Sequence, residues 1–463
     1  MNNRQSARAG RSCGVMMLAL LVSGAVLMAC SEREDVLPGK RIDVRVPLSE
    51  STEFVSGPEV SGVVDLQFDP DLHQLRPLAH PDAGNYTEWT TTGGTTGNRL
   101  ENLALSNRLS QVWSVSIGKG NSRKQRLNAS PVYAGGLIYA MDSEARVTAH
   151  SNEGELVWSR NLVPEGEGAT DASSGGLAFG SGILFATTGF GELHALDATT
   201  GENNWIQKFD APATLAPAVS DGLVYVVTQD SRAWAVDLTN GRLRWRWQST
   251  EADANITSGA APAIAGGLVI MPYPSGAIQA VNPKTGLVVW SAKVGGSRGP
   301  AARSSLIAVS GGPVVSGDVV YAANQAGRMS AVDIVSGQAK WTVTEGSYSP
   351  VWPVADSVYL VSDAAELVRL DADSGERIWA VPLPSFKNSR LRRRKAVFAN
   401  YGPVFAGDRL IVASGDGQIR HFDPVSGGLL DTTPIAGGAA SGPIVVNGVL
   451  YIVSQQGYLV AYR

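Results

Sequence analysis

From about residue 111 onward, short apolar runs alternate with turn residues, and the alternation repeats. One unit reads Pro217-Ala-Val-Ser-Asp-Gly-Leu-Val-Tyr225-Val, then Ala233-Trp-Ala-Val-Asp237-Leu-Thr-Asn-Gly241-Arg-Leu-Arg-Trp245. Another reads Pro313-Val-Val-Ser-Gly-Asp-Val-Val-Tyr321-Ala, then Gly327-Arg-Met-Ser-Ala-Val-Asp333-Ile-Val-Ser-Gly337-Gln-Ala-Lys-Trp341. The runs are short, rich in β-branched residues and bounded by Gly, Asp and Ser, which is strand patterning. The opening proline recurs at 131, 217, 262, 313, 350, 403 and 443, and Leu177 takes its place once, so there are eight units. Proline is tolerated there because the first residue of a strand loses least by lacking an N–H.

Within a unit the clearest turn is Asp-x-x-x-Gly, at Asp197/Gly201, Asp237/Gly241, Asn282/Gly286, Asp333/Gly337, Asp371/Gly375 and Asp423/Gly427. The acidic or amide side chain can accept turn N–H groups and the glycine can take a positive φ. His150/Gly154 keeps the glycine without the cap. Eight residues after the Asp position stands Trp158, Trp205, Trp245, Trp290, Trp341 or Trp379, and in the seventh unit Asp431. Such regular spacing assigns the tryptophans to packing between sheets rather than to a row of ligand platforms. The Asp431 unit is expected to pack differently or to present an open edge.

These tryptophans lie 38 to 51 residues apart, which suits four-stranded blades of about 44 residues. The predicted fold is all-β: an eight-bladed β-propeller of four-stranded antiparallel blades. The last unit starts at Pro443 and reaches its Asp position at Arg463, before any fourth strand. Conversely, Gln111-Val-Trp113-Ser-Val-Ser-Ile117 has the form of a fourth strand without the first three. The N-terminal strand is therefore expected to complete the C-terminal blade, closing the ring and removing two sheet edges. A solenoid would instead need separate caps.

Ahead of the repeats, Arg4, Arg8 and Arg11 precede an apolar run from about Val15 to Ala29 that ends in Leu27-Met28-Ala29-Cys30. The run is shorter than the ~20 residues a bilayer span needs and fits a signal-peptide core. Its end resembles a bacterial lipobox, which implies cleavage before Cys30 and lipidation of its thiol. The alternative is an ordinary signal peptide with a chance cysteine. By resemblance to enterobacterial lipoproteins, Ser31 in place of Asp implies delivery to the outer membrane, with the acyl chains anchoring the body at the periplasmic face. The chain divides into residues 1–29, a signal peptide; 30–88, a tether and irregular segment rich in charge, Pro and Ser; and 89–463, the propeller.

Composition narrows the chemistry. Of 463 residues, 44% are hydrophobic and 17% charged, enough for a large core, and the net charge of −4 gives no case for nucleic acid as a partner. Cys13 and Cys30 are the only cysteines, so the body can hold neither a disulfide nor a thiolate metal site. The five histidines show no ligand spacing, and no metal or cofactor is expected. One charge cluster is sharp, Arg390-Leu-Arg-Arg-Arg-Lys395. It is either a solvated loop or a clamp for acidic protein or lipid headgroups.

The eight repeats resemble the PQQ-like β-propeller repeat family. With the lipobox and the Trp89-Thr-Thr-Thr-Gly93-Gly94 segment, the chain resembles the propeller lipoproteins of the outer-membrane β-barrel assembly machinery. The resemblance implies a non-catalytic scaffold, a monomeric subunit of a hetero-complex, that binds the periplasmic POTRA domains of the barrel-forming subunit through loops of the middle blades. Ile256 matches an apolar place of the family's loop pattern, while Thr257 stands where Arg is typical. In the next loop Ala308 and Ser310 stand where acids are frequent. Arg303 and Leu306 join Ile256 as candidate contacts on local chemistry alone. Two alternatives remain. One is a quinone-dependent dehydrogenase, whose family members carry a disulfide of adjacent cysteines and a Ca²⁺ site. The other is a module for another cell-envelope ligand.

Overall fold

The computed structural model describes residues 75–463 apart from 172–173, 214, 251–259, 295, 297–306, 389, 391 and 393. Its described residues form eight four-stranded antiparallel sheets and no helix longer than one turn. Seven sheets are meanders of consecutive strands: 132–161, 174–208, 218–248, 263–293, 314–343, 352–382 and 400–434, here blades 1 to 7. Blade 8 takes Ile444–Val446, Val449–Val453 and Tyr458–Tyr462, and its outer strand is Gln111–Ser116. Ser114 pairs with Val460 and Ser116 with Tyr458, so the ring is closed by the strand that the sequence leaves over.

The first-to-second turns show why the units begin as they do. In blade 8 the two-residue turn is Asn447-Gly448, at φ 51° and 70°. Positive φ at both central residues gives the type I′ hairpin whose twist matches the strands. One expectation needs correction. In blade 6 the residue just before the first strand (Trp352–Val354) is Val351, because Trp352 pairs with Tyr359 as Val132 pairs with Tyr139. Pro350 lies one residue earlier than the repeat position. A buried valine serves there equally, since the position asks only for a residue that can forgo its N–H.

The Asp-x-x-x-Gly turns are capped as their chemistry predicts. Asp333 Oδ1 accepts the N–H groups of Val335 and Ser336 at 3.1 and 2.8 Å. These bonds hold its carboxyl below the usual range. At His150 the missing cap is replaced by the next residue: Ser151 Oγ accepts from Glu153 and Glu155 at 3.2 and 3.3 Å.

The tryptophans join blades. Each indole lies on the glycine of the next blade's third-to-fourth turn. A Cβ on Gly201, Gly241 or Gly337 would sit 2.5 to 2.6 Å from Trp158, Trp205 or Trp290. The indole N–H groups of Trp158, Trp205, Trp245, Trp290 and Trp341 also donate into that turn, for example from Trp158 to Ala198 O at 2.9 Å, from Trp290 to Ile334 O at 2.7 Å and from Trp341 to Ala372 O at 2.9 Å. Within its own blade the ring leans on a second-strand aromatic: Tyr139, Phe185, Tyr225, Tyr321 and Tyr359 lie 5.8 to 6.0 Å from their tryptophans. Trp113 of the closing strand makes the same contacts from blade 8 to blade 1, with Gly154, with Asn152 O at 2.8 Å and with Tyr451 at 5.8 Å.

Asp431 now has a physical account. It would face blade 8, whose fourth strand comes from residues 111–116, so blade 8 has no third-to-fourth turn to receive an indole. Leu429 and Leu430 beside it are each 57% exposed. Removing a wedge, as in Trp341→Ala, is expected to lower unfolding free energy by about 3–5 kcal/mol. Asp431→Trp should leave it within about 0.5 kcal/mol. Urea unfolding curves of the two variants check both.

Candidate functional site

Because every blade is a meander, the first-to-second and third-to-fourth turns share one end of the ring. The second-to-third turns and the inter-blade connections share the other. These are called the turn end and the connection end.

A strap of residues 75–107 crosses the turn end. Trp89 exchanges both backbone hydrogen bonds with Tyr133 of blade 1, at 2.8 and 2.9 Å. Phe179 of blade 2, Ile264 of blade 4 and Val315 of blade 5 donate to Thr90, Thr96 and Gly97 at 2.7 to 3.0 Å, and Leu103 donates to Phe405 of blade 7. Innermost strands of a propeller present an unpaired edge to the axis; the strap supplies partners for those groups. Asn98, buried, donates to Pro262 O and Pro313 O. Trp89 stacks with Trp352 at 6.4 Å, so this end of the axis is filled by packed apolar and backbone groups.

Two buried arginines hold the strap, both where the repeat changes. Arg369 pairs with Tyr359 and Trp379 in register, where blade 1 has Ala149 between Tyr139 and Trp158. It donates to Arg76 O at 2.7 Å and to Ser357 Oγ at 2.9 Å. Arg76 in turn bonds Asp356 and Asp371. Arg409 donates to Ser106 O, to Asn107 Oδ1 at 3.1 Å and to His421 Nδ1 at 3.0 Å.

Cys30, Ile256, Arg303 and Leu306 lie outside the described residues, so no geometry attaches to them. The stems of the two middle-blade connections are described, and they are firmly built. Asn324, fully buried, donates to Val294 O and Gly296 O at 3.0 Å each, and its Oδ1 accepts from Ala326 and Arg328. Ser310 donates to Ser347 O of the blade 5–6 connection at 2.8 Å. Ala308 and Ser310 are buried, which explains small residues there: an acid would have to be paired in the seam.

An apolar strip escapes sequence reading. Trp247, on the strand of the repeat tryptophan Trp245, is 41% exposed, and Leu287, Val288 and Val289 of blade 4 are 58%, 45% and 54% exposed. The Trp247 ring reaches the Gly286 turn, so the strip is continuous across the blade 3–4 seam. The signal was the doubled Trp-Arg-Trp followed by three consecutive aliphatics.

The titratable groups are structural. Asp237 is held at about 2, chiefly by the Thr239 hydroxyl and Arg244. A cleft of about 350 Å³ between blades 8 and 1 contains Asp142, whose carboxylate accepts the N–H groups of Lys119, Glu144 and Arg146 at 2.8 to 2.9 Å. Among the described residues no three His, Cys, Asp or Glu side chains gather as a metal site. With no cysteine beyond Cys30 and the turn end packed, these residues do not fit a quinone and its cation.

Comparison with known proteins bears on the same region. The sequence model of the family described as outer membrane protein assembly factor BamB matches residues 143–381. The outer membrane protein assembly factors BamB of Salmonella typhimurium and Pseudomonas aeruginosa are each 28% identical to this chain over 76% of its length, covering 88% and 89% of theirs. The crystal structure of BamB from Moraxella catarrhalis is similar at TM-score 0.65 and 21% identity, over 77% of this chain and all of that one. Quinohemoprotein alcohol dehydrogenase from Comamonas testosteroni is similar at TM-score 0.62 and 16% identity, over 82% and 81%. At such identities the likeness is one of fold.

Beneath the strap, His421 is buried against Arg409, and burial followed by the Arg409 charge lowers its pKa to about 4. The folded state therefore keeps it neutral while the unfolded chain takes up a proton near its ordinary pKa. Between roughly pH 6.5 and 4 the unfolded state binds more protons, so stability falls as pH falls, by about 3 kcal/mol, and the contribution levels off below the folded pKa. His421→Gln, which can still bond Thr433, is expected to remove most of that slope from a pH series of unfolding curves.

Proposed function

This chain belongs to the BamB family of outer membrane protein assembly factors, and on that premise we propose that it is a non-catalytic scaffold subunit of the outer-membrane β-barrel assembly machinery. The family match over residues 143–381 carries the proposal. The propeller supports it by offering a rigid frame whose loops can be held in place before a partner arrives. In this reading Cys30 is acylated and tethers the body to the periplasmic face of the outer membrane. The barrel-forming subunit then docks its periplasmic domains on the connections that carry Ile256, Arg303 and Leu306. The exposed strip of Trp247, Leu287, Val288 and Val289, on the rim beside the Gly286 turn, offers a second apolar contact surface. Aromatic and aliphatic anchors of this kind dominate binding energy once water is excluded around them.

The test is a pull-down of the mature protein from envelope extract. Recovery of the barrel-forming subunit supports the proposal. Its absence, with other envelope proteins recovered instead, rejects it. Ile256→Asp combined with Leu306→Asp is expected to weaken that association about tenfold or more, as is Trp247→Ser alone. Neither should lower the melting temperature, because one pair lies in connections and the other residue is on the rim. A separate assay of quinone, alcohol and an artificial electron acceptor is expected to show no saturable turnover.

A further inference from the structure

The connection end is strongly polarised in charge. The connection from blade 6 to blade 7, residues 383–399, contains six cations (Lys387, Arg390, Arg392, Arg393, Arg394, Lys395) and no acid. The connection from blade 8 to blade 1, residues 117–131, contains Lys119, Arg123, Lys124 and Arg126, again with no acid. The one between them in the ring, residues 435–443, is uncharged. The next three connections carry the opposite sign: Glu165, Glu167 and Asp171, then Asp210, then Glu251 and Asp253. The chain's net charge of −4, less these ten positive charges, leaves −14 on the remainder. Of the second-to-third turns at this end, that of blade 1 carries Asp142 and Glu144, that of blade 7 carries Asp416 paired with Arg420, and that of blade 8 is uncharged, so a net cationic crescent over blades 7, 8 and 1 stands on an acidic body.

The crescent also has an apolar edge. Residues 385–387 and 396–398 run antiparallel as the stem of an arm, in which Lys387 N donates to Ala396 O at 2.9 Å and Phe398 N to Ser385 O at 2.6 Å. Phe386 and Val397 are bridge partners across it, 44% and 59% exposed. Arg394 lies over the Phe386 ring at 5.0 Å and Lys387 over Phe398 at 5.7 Å. Arg126 stands near enough to Tyr401, at the root of the arm, for its charge to offset part of the burial that pushes the phenol up to about 12.

We propose that the connection end over blades 7, 8 and 1 is a docking surface for an anionic phospholipid membrane. Long, exposed cations spread over two connections suit a laterally mobile array of phosphates better than a single fixed carboxylate. Their attractions add when all lie within a Debye length, ~8–10 Å, of the surface. The Phe386–Val397 pair is placed to enter the headgroup layer. The acidic connections on the far side of the same end tilt away from the bilayer. Docking thus fixes a tilt as well as a distance, and it leaves the strap end facing away. The inference does not depend on the assembly role.

The experiment uses the mature chain, residues 30–463, carrying Cys30→Ser, which lacks the basic and apolar leader and cannot be acylated. It measures co-sedimentation with phosphatidylcholine vesicles with and without roughly one third phosphatidylglycerol. Any apolar adsorption contributes equally to both, so the ratio is the readout. It is expected to be about tenfold or more at low salt and to fall toward unity in high salt. The variant K387E/R390E/R392E/K395E should abolish the ratio. R242E/K284E, at the turn end, should leave it intact. If the first variant fails to fold, K119E/R123E/K124E replaces it and should reduce the ratio. Equal partitioning into both vesicle types, or a ratio unchanged by reversal of the crescent, overturns the proposal. So does salt-sensitive binding to polyglutamate without any preference for anionic vesicles.

Discussion

A single contact recurs around the ring: an indole laid on a glycine, with its N–H reaching into the same turn. It couples three requirements that are otherwise independent. The glycine must lack a Cβ, the turn must be held by its Asp or Asn cap so that a carbonyl points outward, and the strand must place a flat ring at that height. Each blade therefore contributes a socket to one neighbour and a wedge to the other. Sheets that would be marginal alone become a ring in which every seam is specified. Trp113 with Gly154 shows that the closing seam obeys the same rule although its strand is drawn from the opposite end of the sequence. Asp431 shows the rule by its exception, since the wedge is missing only where the socket is.

The second constraint is the axis. Eight inner strands leave backbone groups unpaired toward the centre, and the strap answers this at the turn end with backbone bonds to blades 1, 2, 4, 5 and 7. Ordered backbone needs holding in turn. Arg369 and Arg409 do that by donating to strap carbonyls from blades 6 and 7. Their cost is visible in the repeat. Ser357, Arg369, Arg409 and His421 all replace residues that elsewhere are small or apolar, and they form the polar lining that buried guanidinium groups require.

How much of this could be read beforehand follows from what was periodic. Strand order, caps, wedges and the closing strand were legible because each is a residue type at a fixed offset. Pro350 misled by one position because proline was taken as the mark of the strand start, while the fold asks only that the N–H be dispensable. The strap was opaque: its hydrogen bonds are made by backbone, which carries no sequence signature, and the arginines that clamp it look like scattered charges until blades are superposed. The candidate contacts Ile256, Arg303 and Leu306 came from resemblance and loop chemistry, not from periodicity. Their neighbours Ala308 and Ser310 turned out to belong to a packed seam. Trp247 was visible only as a second tryptophan out of step with the repeat.

The closing strand also sets an order of events in time. Gln111–Ser116 is made about 350 residues before the strand it pairs with, and bringing such distant segments together carries a loop-closure cost that grows only slowly with length. Until then Trp113 has its socket on blade 1 but no sheet to belong to, while Tyr458–Tyr462 lacks its outer neighbour. Blades 1 to 7 can each zip up from contiguous chain as they emerge. The eighth cannot, so a nascent molecule passes through a horseshoe with two sticky edges. A chaperone or a translocation machinery handling this protein must keep those edges apart from other chains until the final strand arrives.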